Sequence, residues 1–133
     1  MTARNVSVLA LYNHRKQILL QHRTKEAARL PDYWAFFGGG IEGAETPEQA
    51  LTRELLEELE YKVIAPQLLL KQAVLDDDVE STKYVFVERY NPANMLIQHE
   101  GQGMGWWTFD ELSNLLIVDH DRVALSKIEE FLK

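Results

Sequence analysis

The sequence predicts one domain of the layered α/β class. Its 133 residues suit a single compact domain, and a hydrophobic content of 46% is enough for a real core. Segments with strand character alternate with helical segments, which is typical of layered α/β architectures. Because no internal repeat, low-complexity segment or linker interrupts the sequence, residues 1–133 are expected to form one unit.

The individual elements are predicted from hydrophobic patterns and turn residues. Strands are predicted at residues 5–12, 17–22, 34–37, 62–74 (as one strand or two), 82–90 and 104–109. Helices are predicted at residues 47–59 and 110–116, followed by a last helix capped by Asp121. The acidic run Asp76, Asp77 and Asp78 is predicted to be a solvated hairpin turn between two strands.

The start of the first helix has a strong local signal. Thr46 is a good N-cap residue, Pro47 suits the first helical position, and Gln49 completes a capping box with Thr46. Leucines then recur every four residues and predict a buried stripe formed by Leu51, Leu55 and Leu59. Ahead of the helix, the glycines at 38–40 allow the backbone to adopt a positive φ or to pass close to a ligand.

Acidic side chains crowd one side of the same helix. Glu54, Glu57 and Glu58 fall within about one and a third helical turns, where like charges repel. A divalent cation would resolve this repulsion, since oxygen ligands together with bound phosphate are what Mg²⁺ prefers. The simpler interpretation is a surface helix with solvated glutamates, and the helix alone does not decide between the two.

Residue spacing across the loop and the helix favours a functional site. The stretch resembles the Nudix box: Gly, five residues, Glu, seven residues, Arg-Glu, hydrophobic, any residue, Glu-Glu, any residue, Gly, hydrophobic. The matching residues are Gly39, Glu45, Arg53, Glu54, Leu55, Glu57, Glu58 and Tyr61. Glu60 departs from the pattern, because the family has a glycine there that ends the helix in a left-handed conformation. A non-glycine residue in that conformation costs roughly 1 kcal/mol.

The resemblance implies a fold and a metal site. The fold would be an α/β/α sandwich with a mixed β-sheet between helices, which periodicity alone does not show. The cofactor would be Mg²⁺, with Mn²⁺ as a substitute. The metal ligands would be Glu54, Glu57 and Glu58 in the box, a carbonyl at Gly38, and Glu100, an acidic residue outside the box.

The same resemblance implies catalytic and substrate-binding residues. The catalytic set would be Arg53, Glu54, Glu57 and Glu100, and the substrate would contact Arg23, Gly39 and Gly40. Arg53 would orient a glutamate or support the loop, and Glu45 would brace the loop from behind the metal ligands. The general base is either a box glutamate or Glu100, and the sequence leaves this choice open.

The implied activity is hydrolysis of a phosphoanhydride bond in a nucleoside diphosphate linked to another group. The default substrate is a nucleoside triphosphate, including oxidised forms, which is released as monophosphate and pyrophosphate. Residues 74–78 lack the proline and the tyrosine that are typical of relatives acting on ADP-ribose and on dinucleoside polyphosphates. Pyrophosphatases of the nucleotide-sugar or ADP-ribose type are the alternative. A non-catalytic nucleotide sensor is a further one, although such proteins usually lose box carboxylates.

The composition of the chain limits its expected partners and cellular location. A net charge of −7 disfavours general binding to nucleic acid, whose affinity comes largely from basic contacts with phosphate. The sequence has no run of eighteen apolar residues, so neither a transmembrane helix nor a membrane partner is expected. The absence of cysteine excludes disulfides and fits the reducing cytoplasm, which is the predicted location. Members of the family are often dimers, so a homodimer is the oligomer that the resemblance implies.

Overall fold

A mixed β-sheet forms the centre of the fold, with helices on both of its faces. The computed structural model describes residues 4–76 and 78–133. The strands are β1 Val6–Tyr12, β2 Ile18–His22, β3 Trp34–Ala35, β4 Phe37–Gly40, β5 Gln67–Asp76, β6 Val79–Arg89 and β7 Gly103–Trp107. The helices are α1 Pro47–Leu59, α2 Phe109–Leu112 and α3 Asp119–Phe131.

Strand β1 lies in the middle of the sheet. It runs parallel to β6, with Val6 opposite Lys83 and Tyr12 opposite Arg89. Along its other edge, the first half of β1 pairs antiparallel with β4, where Val6 lies opposite Gly40, and its end pairs with β2. Strands β3 and β7 extend the sheet from β2, while β5 lies antiparallel to β6. The combination of one parallel pair with antiparallel pairs makes the sheet mixed.

Two hydrophobic layers cover the two faces of the sheet, because successive side chains of a strand point to opposite faces. On β1, Leu9 and Leu11 join the layer that contains the leucine stripe of α1. The intervening Ala10 joins the layer formed with α2 and α3, which contains Ala124 and Ile128. Strands β2 and β6 alternate in the same way. The predicted α/β/α sandwich is therefore confirmed.

The N-terminal end of α1 is closed by side chains. The Thr46 hydroxyl accepts a hydrogen bond from the Gln49 N–H at 3.1 Å. In return, the Gln49 side-chain oxygen accepts the Thr46 N–H at 2.9 Å. The predicted capping box is confirmed, and it satisfies N–H groups that the first helical turn leaves without partners.

The C-terminal end of α1 turns at the position where the family motif has glycine. Glu60 adopts a left-handed conformation with φ 54° and ψ 29°. The N–H of Glu60 donates to the Leu56 carbonyl at 3.1 Å, and the N–H of Tyr61 donates to the Leu55 carbonyl at 3.2 Å. The first of these bonds is the one that defines a left-handed helix end, so the chain turns at Glu60 in the conformation expected of the family's glycine.

Several predicted boundaries are wrong. Residues 34–37 form two strands rather than one, because Trp34 and Ala35 pair with β2 while the chain from Phe37 onward pairs with β1. In the predicted strand at 62–74, pairing begins only at Gln67. Asp77 lies outside the described residues, so the predicted acidic turn is defined here only by the end of β5 and the start of β6.

The two C-terminal helices also begin differently from the prediction. Helix α2 is capped by Thr108 and ends at Leu112. Helix α3 begins at Asp119, and its N-cap residue is Val118 rather than Asp121. Asp121 lies inside the first turn because its buried carboxylate bonds to the Lys83 ammonium instead of to helical N–H groups. In the described part of the chain, no helix combines the length and the apolar character needed to span a membrane.

Replacing Leu55 by alanine should destabilise the protein, since this side chain is fully buried between α1 and the sheet. The free energy of unfolding should fall by about 2–5 kcal/mol, as for other large-to-small core substitutions. Leu56→Ala is the matched control on the same helix, because Leu56 is 47% exposed. Denaturant titration of both variants measures the difference, and equal losses would contradict the described packing.

Candidate active site

Strand β4 passes so close to its neighbours that side chains are excluded. At Gly38, where φ is +141°, a Cβ atom would lie 2.2 Å from the Ser7 carbonyl oxygen. At Gly39, a Cβ atom would lie 2.7 Å from the carboxyl carbon of Glu54. Both distances are far below van der Waals contact. Only glycine fits at position 38, where the clash is with backbone, while a side chain at position 39 would displace the Glu54 carboxylate. The close approach brings the β4 backbone against the acidic side of α1.

Arg53 connects the loop after β4 to helix α1. Its Nε and one terminal nitrogen donate to the two carboxylate oxygens of Glu45, at 2.7 and 3.0 Å. The same terminal nitrogen donates to the Gly40 carbonyl at 3.0 Å, and the other donates to Glu54 at 2.8 Å. The planar guanidinium suits such a paired contact with a carboxylate. Arg53 therefore holds the loop on one side and fixes the Glu54 carboxylate on the other.

The contact between Arg53 and Glu45 shifts the pKa values of both side chains away from neutrality. The hydrogen bond from Arg53, followed by the N–H of Glu42, lowers the pKa of Glu45 to about 2. Bonds to Glu45 and Glu54 in turn raise the pKa of Arg53 above its usual value. Both side chains stay ionised throughout the neutral range, so Glu45 can brace the loop but cannot exchange protons during a reaction near neutral pH.

Glu58 lies at the centre of the acidic group. Its side chain is buried, with 3% of the residue exposed, and its Oε1 accepts the Gly38 N–H at 2.9 Å. Burial, and then the neighbouring charge of Glu100, raises the pKa of Glu58 to about 10. The carboxyl groups of Glu54 and Glu100 both lie within hydrogen-bonding reach of Glu58. Three of the predicted metal ligands are thus brought together around one buried carboxyl group.

The other predicted ligands are placed differently. The Glu57 side chain is 60% exposed, and one of its oxygens lies 3.6 Å from Arg53. Gly38 presents its N–H group to Glu58. The expected contribution of its carbonyl to a metal site stays a prediction.

The chemistry of this group fits a hard cation. The carboxyl groups of Glu54 and Glu100 approach the buried carboxyl group of Glu58, and the neighbouring Arg53 contacts only one of the three, Glu54. Oxygen ligands of this kind suit Mg²⁺, and a bound cation would offset both the burial and the repulsion from Glu100 that raise the pKa of Glu58. Among residues 4–76 and 78–133, no three acidic, histidine or cysteine side chains are already arranged as a metal-binding group. Binding a cation would therefore require these carboxylates to turn towards it.

A cleft of about 260 Å³ opens beside Gly38 and Gly39. Arg23, the predicted substrate-binding arginine, lies on its wall, and its Nε donates to the Arg29 carbonyl at 3.0 Å. Arg4 and Arg29 also line the cleft, although sequence patterns did not single them out. Arg4 lies over the predicted contact residue Gly40, where a Cβ atom would come within 2.0 Å of its guanidinium. Three arginines thus line the cleft beside the acidic group, and one of them, Arg4, also lies 3.5 Å from the Glu42 carboxylate.

A buried lysine forms part of the same cleft. Lys83 on β6 is 3% exposed, and its ammonium donates to His120 Nδ1 at 2.6 Å and to the Asp121 carboxylate. Burial lowers the pKa of Lys83, and the charge of Asp121 offsets part of that shift. Sequence reasoning missed this group. The available signal was that Lys83 is in phase with the buried Val85 and Val87, on a face where a lysine needs a partner.

Most of the sequence matches one known protein family. The family model of the NUDIX domain matches residues 1–127. No match was found among curated proteins.

Solved structures with the same fold are similar over nearly the whole chain. The MutT protein from Methanosarcina mazei Go1 superposes with a TM-score of 0.85 at 16% identity, over 99% of this chain and 96% of that one. A MutT NUDIX hydrolase from Burkholderia pseudomallei gives 0.82 at 22% identity, over 96% and 98%. The NUDIX domain of Shewanella oneidensis NrtR, complexed with ADP ribose, gives 0.83 at 15% identity, over 100% and 90%. With a family model that covers almost every residue, and a fold to match, the chain belongs to the Nudix hydrolase family.

Proposed function

We propose that this protein is a Mg²⁺-dependent pyrophosphohydrolase that converts a nucleoside triphosphate, oxidised forms included, to monophosphate and pyrophosphate. The observation that carries the proposal is the meeting of Glu54, Glu58 and Glu100 beside a cleft lined with arginines. Clustered carboxylates favour a divalent cation, and arginines favour phosphate groups. Their adjacency supports a reaction in which cation and phosphate meet.

The residues that would hold the cation are Glu54, Glu58 and Glu100, joined by Glu57 from the exposed side of α1. A bound divalent ion supplies charge neutralisation at the phosphates and lowers the pKa of an attacking water. Arg53 would keep the Glu54 carboxylate in place. Glu100 or one of the box glutamates would also act as the general base and accept a proton from that water.

The cleft supports an anionic substrate with an organic group attached. Arg4, Arg23 and Arg29 can compensate phosphate charge in a protein whose net charge is −7. Apolar side chains, Val8 and Phe36 among them, line the same space and suit a nucleoside. The buried ion pair of Lys83 and Asp121 offers both a donor and an acceptor to a base.

ADP-ribose is the second candidate substrate, because the NUDIX domain of the Shewanella oneidensis NrtR structure was solved in complex with that compound. The lack of a proline in residues 74–78 favours the triphosphate. A non-catalytic sensor is disfavoured, since the chain retains all the acidic positions of the box.

Turnover of a nucleotide panel with Mg²⁺, with products identified by mass, tests the substrate. Nucleoside triphosphates should give monophosphate and pyrophosphate, with kcat/KM at least about tenfold, or 1.4 kcal/mol, above that for ADP-ribose. The reverse preference would assign the ADP-ribose reaction instead. Binding without turnover of any compound would make the protein a sensor.

Glu57→Gln and Glu58→Gln should each lose most of the turnover, since each would remove a charged oxygen ligand. Glu48→Gln is the matched control, because Glu48 is exposed at the start of the same helix and away from the acidic group. The measurement is kcat at saturating Mg²⁺. The metal assignment would be abandoned if both variants stayed within about threefold of the original, well short of one factor of ten in rate.

The metal-free protein should lose stability as pH rises. Folding raises the pKa of Glu58 from 4.5 to about 10, so the folded state holds this proton more tightly than the unfolded state does. Stability from this carboxyl is fully present below pH 4.5 and declines as pH rises towards 10. Thermal melts in a chelator should show the decline for the original protein and a flatter profile for Glu58→Gln. Identical pH profiles for the two proteins would refute the buried, protonated state of Glu58.

A further inference from the structure

The side chain at the left-handed end of α1 reaches another part of the chain. A carboxylate oxygen of Glu60 lies 2.5 Å from Nε2 of His99. Both side chains are about half exposed, at 49% and 51%. A glycine at this position, as in the family motif, would have no side chain to make the contact. The pair is therefore a feature of this sequence rather than of the motif.

Backbone hydrogen bonds hold the same two segments together. The Ile97 N–H donates to the Leu59 carbonyl at 3.0 Å, and the His99 N–H donates to the Glu58 carbonyl at 2.8 Å. Residues 97–99 thus satisfy two carbonyls that the last turn of α1 leaves without helical partners. The pair of Glu60 and His99 adds a side-chain contact at the same junction, which we call the helix–loop clamp.

Both residues of the clamp are close in sequence to a member of the acidic group. Glu58 is two positions before Glu60 in the chain, and Glu100 directly follows His99. The carboxyl groups of Glu58 and Glu100 lie within hydrogen-bonding reach of each other. Beyond Glu100, the backbone turns at Gly101, where φ is +92°. Past this turn, the Gln102 N–H donates to the His22 carbonyl at 2.8 Å, so β2 holds the far side of the segment and the clamp holds the side nearer to α1.

Stability does not account for a glutamate at this position. A left-handed glutamate is strained relative to glycine, and a half-exposed contact between two polar side chains contributes little to the stability of a fold. Its contact with His99 has another effect, which is to restrict where the following residue can lie.

We propose that Glu60 and His99 are positioning residues that hold Glu100 against the metal-binding side of α1. The proposal rests on the proposed function only for the role of Glu100; the clamp itself is independent of it. It predicts that stability and function respond in opposite directions when Glu60 becomes glycine.

The experiment compares Glu60→Gly, His99→Ala and the double variant with the original protein. Three properties are measured. They are the melting temperature, the backbone hydrogen exchange of residues 97–101, and metal-dependent function, which comprises Mn²⁺ affinity by calorimetry together with kcat and KM. Glu60→Gly should melt at the same or a higher temperature, yet exchange faster at residues 97–101. Mn²⁺ affinity and kcat should each fall about three- to tenfold while KM changes less, and the double variant should lose no more than either single variant.

Two controls separate the clamp from general effects. Glu60→Gln keeps an acceptor for His99 and should retain most of the affinity and rate. His14→Ala removes an exposed histidine just beyond the end of β1 and should change none of the three properties.

Each outcome decides the proposal. Unchanged hydrogen exchange in Glu60→Gly would show that the backbone bonds alone hold the segment, and would overturn it. Faster exchange with unchanged Mn²⁺ affinity and kcat would also overturn it, because Glu100 would then not depend on the clamp. If the original protein lacks turnover, the proposed function fails, while exchange and Mn²⁺ affinity still decide the clamp. If the original protein also binds no Mn²⁺, the positioning role is rejected together with the metal site.

Discussion

The close approach of strand β4 to helix α1 is the constraint on which the site depends. Gly38 and Gly39 leave no room for side chains, so the helix can place Glu54 and Glu58 directly against the strand backbone. Arg53 then closes the loop between the two elements by binding Glu45, Glu54 and the strand carbonyl at once. The strand, the loop and the helix consequently behave as one rigid unit, which presents carboxylates along one edge of the cleft.

That unit includes an arrangement that opposes folding. Glu58 is buried with the carboxyl groups of Glu54 and Glu100 close by, and the protein accommodates it by keeping a proton on Glu58, whose pKa is raised to about 10 by burial and by the charge of Glu100. Well-packed leucines on the adjoining face of α1 offset this cost, since Leu51, Leu55 and Leu59 are fully buried. The helix thus has a stabilising face and a strained face, as is common where a fold retains a reactive site.

Local signals in the sequence predicted the part of the site that local structure builds. The capping box, the leucine stripe and the spacing from Gly39 to Glu58 all lie within a short stretch of chain, and the structure agrees with each of them. Contacts between distant segments were not predictable in the same way. The meeting of Glu58 with Glu100 was expected only from the family resemblance, because it depends on how the chain returns after β6. The pairing of Lys83 with Asp121 depends on a helix that packs from the far end of the chain. Asp121 was mistaken for a helix cap because its buried partner is remote in sequence.

The parallel pairing of β1 with β6 has a consequence for how the molecule folds. The N–H of Thr82 donates to the side chain of Asn5, 77 positions away, and the whole of β1 pairs with β6 in register. Closing so long a loop carries an entropic cost before any contact is formed, so this pairing should be among the slow steps. Helix α1 and its glycine strand lie within that loop. Glu100, by contrast, follows β6 in the sequence, so synthesis of the chain must pass β6 before the carboxyl groups of Glu58 and Glu100 can meet.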